Sequence, residues 1–205
     1  MYPGTAFSSE CTLYYESDID NTDFTWNWIY WSDKRDYRPY MHIIRTLRPN
    51  MNVDSTPEYV KLIFMDNLMM NVYPSHPEEY NGGALISEYP EFSDAVKTCA
   101  ALRKAYLDYF VDGVMVSDCP LSEDSDCRVT GYLKEGENKL LLIAYKNNSG
   151  ESTLSLDLSD FMAGDSFGYV IKDEKGNAVC DGNVNCKGTV SFEGEAGKLY
   201  MIEIA

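Results

Sequence analysis

An α/β front followed by an all-β end is the fold class predicted by this chain of 205 residues, on three observations. Leu154, Leu156 and Leu158 alternate with Ser155, Asp157 and Ser159, the period of two that marks a strand with one wet and one dry face. Residues 140–145 form a continuous apolar run, as in a central strand covered on both sides. Before residue 118, by contrast, strand-like stretches alternate with helical ones. The expected division is 1–118 for the α/β portion, 119–127 for an acidic linker, and 128–205 for an antiparallel β-sandwich.

In chain order, residues 4–10 read as a short strand with Glu10 at its C-terminal end. In a parallel α/β barrel the reactive side chains gather at that end of the strands. A solvated surface carboxylate would look the same. Residues 14–23 are a loop dense in carboxylates, but they lack the glycine and spacing of a calcium loop and read as a solvated segment. Residues 24–31, Phe-Thr-Trp-Asn-Trp-Ile-Tyr-Trp, hold all three tryptophans. As a strand they put Phe24, Trp26, Trp28 and Tyr30 on one face, and as a helix they bring Trp28 and Trp31 together. Such rings stack on the C–H face of a pyranose or fill a core or a domain seam.

Residues 37–48 are expected to be helical, with Tyr40, Ile43, Ile44 and Leu47 on one side and Pro49 as the stop. His42 on it reads as a packing residue. Ser55-Thr56-Pro57-Glu58 opens a second helix, expected to reach about residue 72 and to be buried on most sides. Residues 74–89 form a long loop. A third helix is expected over 93–111, with Val96, Cys99, Ala100, Tyr106, Leu107 and Phe110 on its apolar stripe and Gly113 beyond its end. Residues 114–117 suit one more strand.

The rest is strand upon strand at roughly 8 to 12 residue spacing: 128–134, 140–145, 154–158, 167–171, 190–192 and 200–204. Residues 173–177, with Gly176, have the composition of a hairpin turn. Cys180 and Cys186 flank Asp-Gly-Asn-Val-Asn, and Cys119 and Cys127 flank another polar loop. Either pair has the spacing to close a hairpin disulfide in an oxidising compartment, and both stay thiols in a reducing one. No close pair of cysteines has the spacing of a zinc site, so no metal and no cofactor is expected.

The formal charge of −16, from 33 acidic and 17 basic residues, lacks the basic footprint that nucleic acid or an anionic membrane requires. The N-terminus has no basic and apolar segments of a signal peptide. The longest apolar stretch, 60–72, is broken by Lys61, Asp66, Asn67 and Asn71 and falls short of the roughly 20 residues of a span.

Segments 5–10, 37–47, 57–73 and 92–110, followed by Gly131-Tyr132-Leu133, Leu141 and Ile143-Ala144-Tyr145-Lys146-Asn147-Asn148, resemble the C-terminal portion of TIM-barrel glycoside hydrolases of a little-characterised gut-bacterial type, with their trailing β-sandwich. The resemblance lies in layout across most of the chain. It implies a carbohydrate ligand, Glu10 as a catalytic carboxylate, Trp26, Trp28 and Trp31 as a wall of the sugar site, and the sandwich as an accessory domain. A closed barrel takes about 250 residues, so residues 1–118 are expected to form a partial, incomplete β/α barrel. Hydrolysis of a glycosidic bond ordinarily needs two carboxyl groups roughly 5 to 9.5 Å apart. Glu16, Asp18 and Asp20 are candidates for the second, and strands outside this chain are the alternative. The expectation is therefore a C-terminal fragment, weakly active or inactive alone, that self-associates or needs the missing barrel half. A non-catalytic carbohydrate-binding or structural module is the other reading.

Overall fold

Ile43-Ile44-Arg45-Thr46-Leu47 places three β-branched residues in five positions, a composition that favours extended backbone over helix. The computed structural model describes residues 8–11, 24–27, 43–47, 56–67, 69–72, 85–116 and 126–205, and residues 43–47 are a strand. The helix expected over 37–48 is thereby corrected for 43–47; residues 37–42, His42 among them, lie outside the described residues. The chain divides into two compact units, Met1–Lys97 and Thr98–Ala205.

The first unit contains β1 (Ser8–Cys11), β2 (Phe24–Asn27), β3 (Ile43–Leu47), α1 (Pro57–Met65) and β4 (Met69–Val72). The four strands form a parallel sheet in the order β1-β2-β3-β4. Helix α1 is the crossover between β3 and β4. Its cap is Thr56, whose Oγ1 accepts the Tyr59 N–H at 3.1 Å, with Pro57 in the first turn where its missing N–H costs nothing. Residues 59–67 are all buried, as an apolar girdle on every side requires. The helix ends seven residues before the expected 72, because Asn67 adopts a left-handed φ of 56° and the chain re-enters as a strand. An apolar run of this length fits a buried helix and a buried parallel strand equally well, which is why one periodicity covered two elements.

Leu85 precedes a 3-10 turn at Ile86–Glu88. Helix α2 (Pro90–Ala105) starts earlier than the cap expected at Ser93, with the helix-compatible Pro90 first. It crosses from the first unit into the second. Tyr106 interrupts it, and α3 (Leu107–Asp112) follows. The buried residues are Phe92, Ala95, Cys99, Leu102, Tyr106, Tyr109 and Phe110, spaced by three and four; Ala100 and Leu107, assigned to the apolar stripe by sequence, are exposed.

The second unit continues with β5 (Val114–Val116), β6 (Cys127–Lys134), β7 (Lys139–Lys146), β8 (Gly150–Asp157), β9 (Ser166–Asp173), β10 (Ala178–Asn185), β11 (Lys187–Gly194) and β12 (Leu199–Ile204). Six of them form an antiparallel sheet in the order β10-β9-β12-β7-β6-β5, and β8 and β11 pair into a second, two-stranded sheet. The dry core lies between the sheets: Leu140, Leu142, Ala144, Ile202 and Ile204 from the large sheet meet Leu154, Leu156, Val190 and Phe192 from the small one. On β8 burial alternates residue by residue, while β7 is buried from Leu140 to Lys146. The cause is visible on the other face of the large sheet, where the Phe110 ring of α3 meets Tyr132 of β6 edge-on at 5.0 Å.

Lys146 ends β7 fully buried. Its Nζ donates to Ser152 Oγ and, at 3.3 Å, to Asp126 Oδ2, so the buried charge is partnered. Its backbone N–H and C=O bond the carbonyl of Lys198 and the N–H of Gly197. One side chain and its peptide thus tie residue 126, β8 and the start of β12 to the central strand.

The hairpin at 173–177 forms as expected: Gly176 has a φ of 85°, and Asp173 Oδ1 accepts the N–H groups of Lys175 and Asn177. The disulfide considered for Cys180 and Cys186 does not form; both are thiols. The intervening Asp-Gly-Asn-Val-Asn is not a turn but the body of β10, paired with β9. Six residues of extended chain separate the two cysteines by about 20 Å, far beyond the reach of an S–S bond. Cys119 lies outside the described residues. Strands β10 and β5 are the two margins of the large sheet, and the β10 register slips between Ala178 and Cys180.

Candidate functional site

Parallel pairing carries one row of residues across the first unit's sheet. Glu10 pairs with Trp26, Trp26 with Ile44, and Ile44 with Met69. Glu10 is the third of the four residues of β1, and Trp26 the third of β2. The sheet thus sets two of the proposed site residues at paired positions on neighbouring strands. Trp28 and Trp31, with the acidic loop 14–23, lie outside the described residues.

The second unit carries a hollow that sequence reasoning missed. It is open, encloses about 880 Å³, and lies between helical residues 101–109 and the outer face of β9, β10 and β12. Glu203 of β12 lines it and accepts two hydrogen bonds. Tyr106 Oη donates to Glu203 Oε1 at 3.3 Å and Lys172 Nζ donates to the same oxygen at 2.7 Å. Burial, and then the Glu203 charge and hydrogen bond, push the Tyr106 hydroxyl well above the ordinary tyrosine value. Burial first and Glu203 second push Tyr109 up to about 12. Both phenols therefore stay protonated at any physiological pH, and Tyr106 acts as a donor. No short motif announces this constellation, since its members come from a helix break and two strands and only packing unites them.

Among the described residues no cluster of His, Cys, Asp or Glu is arranged to hold a metal ion, and no helix is long and apolar enough to cross a membrane.

No protein-family model matches the chain, and no curated protein does. Solved structures do. The chain is similar to a noncanonic maltogenic α-amylase, AmyB, from Thermotoga neapolitana, with a TM-score of 0.53 and 13% identity over 91% of this chain and 52% of that one. It is similar to a GH30 endoxylanase from Clostridium papyrosolvens C71, with a TM-score of 0.49 and 14% identity over 92% of this chain and 50% of that one. It is also similar to the glycoside hydrolase family 30 subfamily 8 xylanase Xyn30A from Clostridium acetobutylicum, at 0.48 and 13%, again over 92% and 50%. The chain spans about half the length of each. At 13% identity the likeness to the amylase speaks for the fold alone: the chain has a glycoside-hydrolase-like fold that includes a β-sandwich-like domain.

Proposed function

We propose that this chain is the C-terminal portion of a carbohydrate-active enzyme that hydrolyses glycosidic bonds. In this reading the N-terminal part of the chain belongs to a β/α barrel catalytic domain and the C-terminal part is an accessory sandwich, which takes in β5 (Val114–Val116) through its pairing with β6. The observation that carries it is the position of Glu10, one residue from the C-terminal end of the first of four parallel strands that follow one another in chain order. That is where barrel enzymes keep their reacting groups. The amylase-like fold supports it, and the share of that enzyme which the chain spans supports a portion rather than a whole.

Glu10 acts as general acid/base or as nucleophile toward an oxocarbenium-like transition state, and Trp26, Trp28 and Trp31 present ring faces to the sugar. The second carboxyl group comes from Glu16, Asp18 or Asp20, or from strands of the remaining barrel, without which turnover is weak. The partner is carbohydrate, and no cofactor takes part.

The test is hydrolysis of maltotetraose and xylotetraose by the unsubstituted protein and by Glu10→Gln. The substituted protein is expected to lose turnover by about a thousandfold or more while its affinity for the oligosaccharide changes little. Unchanged turnover in Glu10→Gln would refute the assignment. Oligosaccharide that is bound but cleaved by no preparation would favour a binding module, a reading for which the hollow on the second unit speaks.

A further inference from the structure

We propose that the hollow on the second unit, between helical residues 101–109 and the open half of the large sheet's outer face, is a binding site for a neutral glycan.

The sheet register explains why a site stands open there. One cross-strand row runs Asp181, Val170, Glu203, Leu141, Tyr132 over β10, β9, β12, β7 and β6. Leu141 and Tyr132 are buried, whereas Val170 is 36% exposed and Asp181 is exposed. Glu203 sits where the covered half of this face becomes the open half.

Two polar groups in the lining are incompletely used. Both hydrogen bonds to Glu203 arrive at Oε1, and Oε2 accepts none from any described residue. Tyr109 is only 5% exposed, yet its hydroxyl has no hydrogen-bond partner among the described residues. Buried polar groups nearly always have partners, so an orphan phenol beside a half-used carboxylate marks a place that a ligand completes. One supplies a donor and the other an acceptor, which is what a sugar hydroxyl takes.

Charge excludes the alternatives. Four carboxylate side chains and three ammonium groups line the hollow, leaving no field to hold a polyanion or a polycation. The volume falls within the roughly 300 to 1,000 Å³ of small-molecule sites and admits a short oligosaccharide. The choice of a glycan among neutral polyhydroxylated ligands rests on the hydrolase reading above.

The test titrates the full, isotope-labelled chain with maltotetraose and with xylotetraose, following the amide signals of Gly168, Gly176 and Gly182 in the lining, while hydrolysis is assayed in parallel. Saturable shifts at these amides are expected for at least one oligosaccharide. Glu203→Gln and Tyr109→Phe should each weaken that binding about tenfold. Tyr109→Phe removes a hydroxyl with no hydrogen-bond partner among the described residues, so its melting temperature should not fall; weaker binding at unchanged stability separates a binding role from a structural one. Citrate and spermine serve as charged probes, and stronger shifts with either than with the oligosaccharides would overturn the assignment. So would silence at the three amides, or undiminished affinity in both variants. Hydrolysis with a silent hollow defeats this site and leaves the hydrolase reading standing. A responsive hollow with no hydrolysis does the reverse.

Discussion

Replacing Phe110 by alanine tests whether the short helix α3 is an integral part of the sandwich unit. The Phe110 ring is 2% exposed, stands edge-on to Tyr132 at 5.0 Å, and lies under the Arg103 guanidinium at 5.3 Å. Truncating a buried phenylalanine costs about 3 to 5 kcal/mol, of which the aromatic pair contributes about 1. The low end of the range requires α3 to settle onto the sheet, and the rigid β6–β7 pairing beneath it limits that. We therefore expect a loss of about 4 kcal/mol. With a urea slope of about 2 kcal/mol per molar, the midpoint falls by about 2 M. All three tryptophans lie at residues 26, 28 and 31, so indole fluorescence reports the first unit and not this transition. The assay is instead a urea titration followed through amide signals of Gly131 and Gly168. Leu107, on the same helix but 49% exposed, is the control, and Leu107→Ala should cost no more than about 0.5 kcal/mol. Equal effects of the two substitutions would refute the packing argument, because one surface and one buried position on a docked helix cannot weigh the same.

Two other expectations concern turns and charge. Asn138, between β6 and β7, holds a left-handed φ of 53° while its side chain bonds both the N–H and the C=O of Ala163. Asn138→Ala loses both features and should cost about 2 kcal/mol in the same urea assay, while Asn138→Gly restores the backbone and should cost about half as much; parity between the two would show that the backbone conformation carries no strain. Asp157 is drawn down to about 2, first by the hydrogen bond from Lys187 Nζ at 2.7 Å and then by Ser159. Its folded value is depressed, so whatever it adds to stability is present in full above the ordinary 3.8 and is lost as pH falls toward 2. A carboxyl titration by NMR should place its midpoint near 2 and move it upward in Lys187→Ala; a midpoint at the ordinary value would show that the ion pair is not held in solution.

The sandwich was largely legible because its strands obey a simple rule. Leu154, Leu156 and Leu158 alternate, residues 140–145 do not, and each pattern names the number of faces a strand buries. Strand β10 escaped because Asp181, Gly182, Asn183 and Asn185 read as turn residues, and Val184 is its only buried side chain. A marginal strand with one thin dry face leaves no periodicity to find. The residues of strand β3 also suit a helix, because 40, 43, 44 and 47 satisfy helical spacing by coincidence, and only pairing with β2 and β4 decides the matter. The strand bearing Glu10 could be read from its neighbours in sequence. The hollow could not: Tyr106 and Glu203 are 97 positions apart, and Lys172 and Glu203 are 31 apart.

The slipped register of β10 bears on how the chain behaves when concentrated. An eight-residue margin of regular strand would offer its unspent amide and carbonyl groups to any passing chain. The irregularity at residues 178–180 throws the start of that ladder out of step, and Asp181 sets a negative charge beside it, so a second molecule meets mismatched spacing and repulsion at that end of the strand. The opposite margin, three residues of β5, is too brief to template anything. Stacking through this sheet is thus hindered by a local irregularity and a charge at one margin and by brevity at the other.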